Sequence, residues 1–264
     1  MLFADWRLMS TGPADCYTNM AIDEATAVLV SQQRAPPTVR FYCWEPPCQT
    51  IGYSQRLGAE VCPDLSRRGL RCVRRLTGGA ACLHGGDLSY SLIVSVRDFV
   101  MPASVPGSFR RIASGIIEGL RLLGIDARFL PPADIETGGQ RIATAAQARL
   151  QGVLVHQGSI CLAPCVAAEG SLLPSYPLTP LSDLVGEELG PDVVIQAMSM
   201  GLRSALGIDL SPSVLLAKEK RLARQLLREK YVQSEWTFFR EPRRLAGTLS
   251  RRHKTSIMEE EQKW

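Results

Sequence analysis

The 264-residue sequence lacks the short motifs that identify many nucleotide-binding and metal-binding proteins. Neither GxxxxGK followed by Ser or Thr, nor a GxGxxG leading from a strand into a helix, is present, which excludes the two familiar phosphate loops. No C-x-x-C pair occurs, and Cys161 and Cys165 have no second Cys or His pair that would complete a zinc site. We therefore predict no metal site.

The sequence also has little that would direct it to a membrane or to nucleic acid. Residues 1–7 lack a basic segment followed by an apolar run, and no stretch is long enough to span a bilayer. The formal net charge is only +4, and the arginines cluster locally, so we expect no nucleic-acid and no membrane partner. Eight cysteines in a chain with 45% hydrophobic residues need no pairing. We expect a reducing, cytoplasmic environment.

What the sequence does contain is enough apolar material for one large domain. We assign residues 1–238 to this domain and residues 239–264 to a charged, flexible tail. Sequence patterns predict helices over residues 16–33, 57–69, 108–123, 181–188, 193–206 and 214–231. They predict strands over residues 38–44, 48–55, 69–74, 88–96 and 125–130. Helices that flank hairpin-linked strands make the fold class α+β.

Residues 140–162 allow two interpretations. The alanines of residues 140–150 favour a helix, but a Gly-Gly entry and the turn at Gln151-Gly152 suit a hairpin with residues 153–162. We predict the hairpin, preceded by a loop over residues 131–139.

The most informative stretch is residues 74–91, which contain two arginines, four glycines and a histidine. The apolar runs on either side predict paired strands, which places the glycines in the loop between them. Gly78 and Gly79 can direct successive N–H groups at an anion, while Arg74 and Arg75 supply charge and forked donors. A phosphate or carboxylate site is one interpretation. A plain hairpin with a solvated Arg-Arg edge is the other.

Six motifs in chain order resemble the lipoate–protein ligase and octanoyltransferase family. They are NMAIDEA at 19–25, RFYCWEPP at 40–47, IGYSQ at 51–55, RRLTGG at 74–79, QRIA at 140–143 and GSI at 158–160. The endings KY at 230–231 and SEW at 234–236 extend the resemblance to about residue 238. It therefore covers almost the whole predicted domain.

The resemblance implies a biotin/lipoate ligase-like catalytic domain with a mixed or antiparallel sheet flanked by helices. It implies transfer of an eight-carbon acyl chain to a lysine of a lipoyl carrier domain. For a ligase, the expected co-substrates are ATP with transient Mg²⁺ and either lipoate or octanoate. A separate small accessory subunit is expected as a further partner, since residues 239–264 are too short to form one.

The same resemblance implies a set of site residues. The residues expected to bind the substrate or acyl-adenylate are Arg40, Arg74, Arg75, Thr77, Gly78, Gly79, His84, Gly139, Ile142, Ala143, His156, Gly158 and Ser159. Arg141 takes the position of the family's lysine and is the expected catalytic residue. Arginine keeps the positive charge but cannot lose a proton at neutral pH, so it can stabilise charge and cannot act as a base.

The resemblance leaves the reaction open. Octanoyltransferases of this family act through a cysteine acyl-enzyme. Residues 131–139, where one subtype carries that cysteine, have none, and Pro174-Ser175-Tyr176 has serine where another subtype has it. Cys161 and Cys165 are out of register, and Cys82 is interpreted as a packing residue.

The missing cysteine favours an ATP-dependent lipoate–protein ligase as the main hypothesis. The alternatives are an ATP-independent octanoyl or lipoyl transferase and a non-catalytic relative that binds lipoate or the carrier.

Overall fold

A computed structural model describes residues 5–57, 70–165 and 177–240 of the chain. The strands are β1 Trp6–Ala14, β2 Thr38–Trp44, β3 Cys48–Ile51, β4 Arg71–Arg74, β5 Cys82–His84, β6 Asp87–Ser95, β7 Arg128–Leu130, β8 Asp134–Thr137, β9 Gln140–Leu150, β10 Val153–Cys161 and β11 Leu210–Pro212. The helices are α1 Cys16–Ser31, α2 Val105–Leu122, α3 Leu181–Val185, α4 Pro191–Leu206, α5 Ala217–Leu226 and α6 Ser234–Phe239, with a π-helical turn Leu227–Tyr231 after α5.

Eight strands form a large mixed sheet in the order β11-β1-β2-β6-β10-β9-β8-β7. Strand β1 runs parallel to β11 and β2, and the remaining pairs are antiparallel. A small second sheet has the order β4-β3-β5, with β3 parallel to β4 and antiparallel to β5. The large sheet separates two packed layers.

One face of the large sheet packs against α2 and α4 and forms the main hydrophobic core, which includes Phe41, Leu92 and Leu154. The two helices cross closely because glycines meet at the contact. A Cβ atom on Gly201 would lie 2.2 Å from the carbonyl oxygen of Gly115. Glycine is therefore required there.

The other face packs against α1, which begins after Asp15. The Asp15 side chain accepts hydrogen bonds from the N–H groups of Tyr17 and Thr18 and so caps the helix. Most of α1 is buried, since it lies between the sheet and the C-terminal helices. Glu24 on α1 accepts hydrogen bonds from Lys230 Nζ at 2.8 Å and from the Tyr231 hydroxyl at 2.6 Å. The C-terminal segment is thereby fixed to α1.

The predicted fold class is confirmed, as are α1 and the β9–β10 hairpin. The predicted loop over residues 131–139 was wrong, because it contains β8. Gly138 and Gly139 have φ angles of 56° and 80° and form the tight turn that pairs β8 with β9. The predicted helix over residues 57–69 falls almost wholly on residues 58–69, which lie outside the described residues. Residues 174–176 and residues 241–264 of the predicted tail also lie outside them.

The prediction that residues 74–91 join two paired strands was also wrong. Strand β4 belongs to the small sheet and β6 to the large one, and β5 forms within the segment and pairs with β3. The glycines therefore connect two sheets. Among the described residues, none of the helices combines the length and the apolar character needed to cross a membrane.

Candidate active site

The glycine loop, residues 74–86, folds back over the end of β3. The Tyr53 N–H donates to the Thr77 carbonyl at 2.8 Å. A Cβ atom on Gly52 would lie 1.9 Å from the carbonyl oxygen of Gly79, and Gly79 itself has a φ of +87°. Only glycine fits at both positions, so the backbone contact sets the shape of the loop.

Arg74 holds this loop to the rest of the molecule. It is fully buried, and its Nη1 donates to the carbonyls of Gly52, Tyr53 and Gln55 at 2.7–2.9 Å. Its Nε donates to the Trp236 carbonyl, and the Trp236 indole N–H donates to the Arg74 carbonyl. Burial lowers the pKa of Arg74 to about 10. These contacts give Arg74 a structural role.

Arg75 is buried inside the loop. Its Nη1 donates to Thr50 Oγ1 at 2.7 Å, and its Nη2 donates to the carbonyls of Gly78 and Ala80 at 2.7 and 3.0 Å. Burial lowers the pKa of Arg75. The guanidinium therefore fixes the backbone of the loop and places positive charge beneath it.

His84 lies on β5 beside this arginine. Its Nε2 is 2.9 Å from Thr50 Oγ1, its Nδ1 is 2.9 Å from Asp87 Oδ2, and its ring stacks on Trp44 at 4.2 Å. Burial lowers the pKa of His84, but electrostatic interactions and hydrogen bonds with Cys82 and Asp87 raise it to about 10. His84 is therefore an imidazolium at neutral pH.

Asp87 orients that imidazolium. It accepts hydrogen bonds from the Gly85 N–H at 3.0 Å, from Ser89 Oγ at 3.0 Å and from Ser159 Oγ. Burial raises the pKa of Asp87, but the charge of His84 and these hydrogen bonds lower it overall. The loop, β6 and β10 thus meet at one carboxylate.

A second buried carboxylate, Asp23 on α1, links the loop to the large sheet. It accepts hydrogen bonds from Arg40 Nη1 at 2.7 Å, Tyr42 Oη at 3.2 Å, Ser91 Oγ at 2.9 Å and Gln157 Nε2 at 2.7 Å. Gln157 also accepts from Thr77 Oγ1 at 2.7 Å. Arg40 therefore lies beneath the site and positions it through this network.

Arg141 lies apart from the glycine loop, at the beginning of β9. Its Nε is 3.0 Å from Asp134 Oδ2, and Asp134 Oδ1 accepts a hydrogen bond from Thr144 Oγ1 at 2.6 Å. The loop meets β9 at Ala146, five residues further on and about 17 Å along the strand at 3.3 Å per residue. The arginine side chain is 28% exposed, so it stands at the rim of the site.

His156 faces the opposite side of the sheet from Ser159. Its Nδ1 accepts a hydrogen bond from Gln147 at 2.9 Å, and its ring packs on Tyr90 and Phe109. Burial lowers the pKa of His156 to about 3, so it is neutral. This side holds a small pocket, which is lined by Tyr90, Phe109, Ala113, Phe129, Ala133, Ile135, Ala143, Thr144, Ala145 and His156.

The other predicted site residues lie in the supporting structure. Ile142 and Ala143 belong to the main core, and Gly139 forms the turn before β9. A Cβ atom on Gly158 would lie 2.3 Å from the ring of Tyr90, so glycine lets this ring cross β10.

Sequence reasoning missed Thr50, Asp87, Asp23 and Gln157. An acidic residue three positions after His84 could have indicated Asp87. The others come together only through the pairing of distant strands.

A model of the lipoyl protein ligase A/B catalytic domain matches residues 15–203. The chain therefore belongs to the lipoyl protein ligase A/B catalytic-domain family, and the predicted resemblance is confirmed.

Within this family, the chain is similar to several octanoyltransferases. Octanoyltransferase LipM of Kyrpidia tusciae is 36% identical over 88% of this chain and 98% of that protein. Octanoyltransferase LipM of Bacillus subtilis strain 168 is 30% identical over 89% of this chain and 98% of that protein.

Solved structures of lipoate-protein ligases share the fold. A candidate lipoate protein ligase of Thermoplasma acidophilum with bound lipoic acid has a TM-score of 0.76 and 28% identity, covering 89% of this chain and 99% of that one. Lipoate-protein ligase A bound with ATP has a TM-score of 0.75 and 28% identity, covering 88% of this chain and 98% of that one.

The main hypothesis, an ATP-dependent lipoate–protein ligase, was wrong. The octanoyltransferases named above are 30–36% identical to this chain, whereas the two ligase structures with similar coverage are 28% identical. The motifs behind the resemblance build the glycine loop and its supports, and this chain is similar to octanoyltransferases and to lipoate-protein ligases alike. These motifs do not show how the carboxyl group is activated. The absence of a cysteine at two expected positions therefore does not exclude a transferase.

Proposed function

We propose that this protein transfers an octanoyl group from a carrier-protein thioester to a lysine of a lipoyl carrier domain without using ATP. The observation that carries the proposal is the identity of 30–36% to octanoyltransferases along 88–89% of the chain. A thioester is an already activated acyl group, so its transfer needs no adenylate. This reaction uses two carrier proteins and leaves no role for the accessory subunit expected of a ligase.

The geometry of the glycine loop supports acyl transfer. Arg75 and His84 place two positive charges around Thr50 in a buried setting. Negative charge that develops on a thioester carbonyl oxygen is stabilised best by fixed donors of this kind. The residues proposed to meet the acyl group are Arg75, Thr77, Gly78, Gly79, His84 and Ser159. The residues proposed to support them are Arg40, Arg74, Gly139, Ile142, Ala143, His156 and Gly158.

For Arg141 we propose an electrostatic role at the rim of the site. Its guanidinium is held by Asp134, and arginine is a cationic side chain that does not serve as a base. It can therefore stabilise charge on an approaching thioester or orient a carrier domain, while another group accepts the proton of the attacking lysine.

We also propose residues 1–238 as the catalytic unit. Helix α6 closes the loop because Trp236 and Arg74 exchange two hydrogen bonds. Residues 241–264 of the predicted tail lie outside the described residues.

A second candidate function is a non-catalytic binder of an acylated carrier. The observation that favours it is the replacement of the family's lysine by Arg141, which is engaged with Asp134. In such a protein, the pocket and the carrier surface would be retained and turnover lost.

The test is to incubate the pure protein with an octanoyl carrier protein and a lipoyl domain and to measure the intact mass of the lipoyl domain. We expect an octanoyl increment without ATP. Arg141→Lys should leave turnover unchanged or lower it, because Asp134 is placed to hold the guanidinium. If the lipoyl domain gains no mass but the protein still binds the octanoyl carrier protein, the transferase hypothesis is contradicted and the non-catalytic binder is supported. A rise in turnover in Arg141→Lys would show an impaired enzyme.

A further inference from the structure

The outer face of α5 and of the π-helical turn that follows it carries a row of positive charges. The exposed cations of this face are Lys220, Arg221, Arg224 and Arg228. Their spacing of three or four residues places them on one side of the helix, over about 12 Å at 1.5 Å per residue. We call these four residues the basic stripe.

The opposite side of the same segment is buried. Ala223, Leu226 and Tyr231 pack in the hydrophobic cluster that contains Met20 and Ala21 of α1. A helix that lies on a membrane needs a free apolar face, and the apolar face of α5 is already covered. The basic stripe is therefore suited to a charged, polar partner.

The acidic residues of the segment do not neutralise the basic stripe. Glu219 is fully buried and pairs with Arg7, and the partly exposed Glu229 accepts a hydrogen bond from Gln225 at 3.1 Å. Among the ion pairs between described residues, none includes a residue of the basic stripe. Like charges at this spacing destabilise a helix, so an anionic partner that covers the stripe would stabilise the segment.

The end of α1 extends the positive surface. The Arg34 carbonyl accepts a hydrogen bond from Lys218 Nζ. The Arg34 side chain is exposed and that of Lys218 is half-buried. Two further cations therefore lie beside the N-terminal end of α5.

The other end of the basic stripe is connected to the glycine loop. Lys230, two residues after Arg228, has its Nζ 3.8 Å from the centre of the Trp236 ring. The Trp236 carbonyl accepts a hydrogen bond from Arg74 Nε at 3.2 Å. Two side chains thus link this end of the stripe to the first residue of the loop.

We propose that the basic stripe docks an acidic surface of the donor carrier protein, which brings the octanoyl thioester. The proposal rests on the transferase function proposed above, since that reaction uses two proteins as substrates. Complementary charges speed the encounter of two proteins and fix their orientation.

The position of the basic stripe suits the donor and not the acceptor. The acceptor reacts through a lysine side chain, so its domain must sit at the site itself, where Gly79 meets Ala146 of β9. The stripe belongs to neither of these elements. A carrier protein holds its thioester on a flexible prosthetic arm that reaches further than a lysine. Its protein surface can therefore bind α5 while the acyl group enters the glycine loop.

The test compares two double charge reversals. Arg221→Glu/Arg224→Glu alters the centre of the basic stripe. Arg110→Glu/Arg121→Glu is the matched control, because both arginines are exposed on α2, on the opposite face of the large sheet. The kcat/KM is measured for octanoyl carrier protein and for octanoyl pantetheine, a small thioester without a protein surface, with the lipoyl domain as acceptor.

At low salt we expect the stripe variant to lose on the order of tenfold in kcat/KM for octanoyl carrier protein, and the control to stay within about twofold of the wild type. The kcat/KM for octanoyl pantetheine should not change. High salt should bring the wild type towards the stripe variant, because exposed charges are screened. Equal losses in the two variants, or an equal loss with octanoyl pantetheine, would overturn the docking surface.

Other occupants of the basic stripe give different results. A higher KM for the lipoyl domain, with unchanged kinetics for the donor, would assign the stripe to the acceptor and overturn the proposal. Co-sedimentation with phosphatidylglycerol vesicles that is lost in the stripe variant, again with unchanged donor kinetics, would overturn it in favour of a membrane.

Calorimetric binding of octanoyl carrier protein separates this proposal from the proposed function. If the wild type binds it, the stripe variant does not and neither transfers, the docking surface stands and the transferase is contradicted. Equal transfer by the wild type and the stripe variant contradicts the docking surface and leaves the transferase. If the wild type neither binds nor transfers, both are contradicted.

A measurement on the unmutated protein guards against a variant that fails to fold. A carbodiimide couples lysine amines directly to the carboxylates that they contact. We expect Lys220 to become joined to a carboxylate of octanoyl carrier protein, and high salt to suppress this product. Cross-links to the carrier protein that leave out Lys220 would contradict docking on the basic stripe.

Discussion

At the scale of single residues, Gly52 and Gly79 show how the site is built. Their backbones approach so closely that a Cβ atom on Gly52 would lie 1.9 Å from Gly79 O. The sequence marks both glycines, since they occur in motifs, but the contact between them depends on the pairing of β3 with β4. The sequence also predicts that the two arginines of the RRLTGG motif bring positive charge to the loop. Their use as backbone anchors is not predictable, because the carbonyl partners of Arg74 lie on other segments and those of Arg75 reach it only through the turn of the loop.

We expect Gly52→Ala to destabilise the protein by about 2 kcal/mol or more, since the methyl group must displace backbone atoms. Gly78→Ala is the matched control, because a Cβ atom there has no neighbour within 4 Å, and its effect should stay below about 1 kcal/mol. Urea unfolding of the two variants measures the difference. Equal stabilities would show that the loop does not need the close contact.

The two described histidines should give opposite pH dependences of stability. The folded pKa of His84 is raised to about 10, so its contribution is complete below the unfolded value of about 6.5 and is lost as the pH rises towards 10. The folded pKa of His156 is lowered to about 3, so stability falls as the pH drops from about 6.5 towards 3.

We therefore expect His84→Gln to flatten the alkaline side of the stability profile and His156→Gln to flatten the acid side. Each histidine can contribute a slope of up to about 1.4 kcal/mol per pH unit. Urea unfolding from pH 4 to 9 measures both profiles. If His84→Gln changed the slope on the acid side, or His156→Gln the slope on the alkaline side, the assigned environment of that histidine would be incorrect.

At the scale of elements, sequence patterns predicted most helices and the β9–β10 hairpin because their signals are local. The turn at Gln151-Gly152 outweighed the helix propensity of the alanines. Strand β8 was missed because it is only four residues long and is defined by its pairing with β9. The division of residues 74–91 between two sheets was missed for the same reason: the partners of β4 and β5 lie at residues 48–51.

The crossing of α2 and α4 gives a prediction at this scale. We expect Gly201→Ala to destabilise the protein by about 2 kcal/mol, because its Cβ atom would lie 2.3 Å from the Gly119 nitrogen and force the helices apart. The control is Met200→Ala on the same helix, where the side chain is 52% exposed and the effect should stay within about 0.5 kcal/mol. Equal melting temperatures for Gly201→Ala and Met200→Ala would contradict the close packing of α2 against α4.

At the scale of the whole molecule, the fold and family could be predicted from the order of the motifs, whereas the reaction could not. The chain is similar both to octanoyltransferases and to lipoate-protein ligases, so motif order alone does not separate the two reactions. The buried networks around Asp23 and Asp87 connect α1, the glycine loop and the large sheet. Such a network fixes a single arrangement of the site, because each carboxylate is satisfied by several elements at once.

The closure of the domain by α6 predicts where the chain can be shortened. A chain that ends at Arg240 should keep the melting temperature and the transfer rate of the full chain, because Trp236, buried against Arg74, is retained. A chain that ends at Gln233 should be clearly destabilised, since it loses this contact. Comparable melting temperatures for the two truncated chains would show that α6 does not close the domain.

The most direct test of ATP-independent octanoyl transfer is a competition in one reaction. The protein is given unlabelled octanoyl carrier protein, deuterated free octanoate, Mg-ATP and a lipoyl domain, and the intact mass of the lipoyl domain shows which octanoyl group it receives. We predict the unlabelled group, at a rate that does not change when ATP is removed. Incorporation of the deuterated group, or no incorporation at all, would contradict the proposed function.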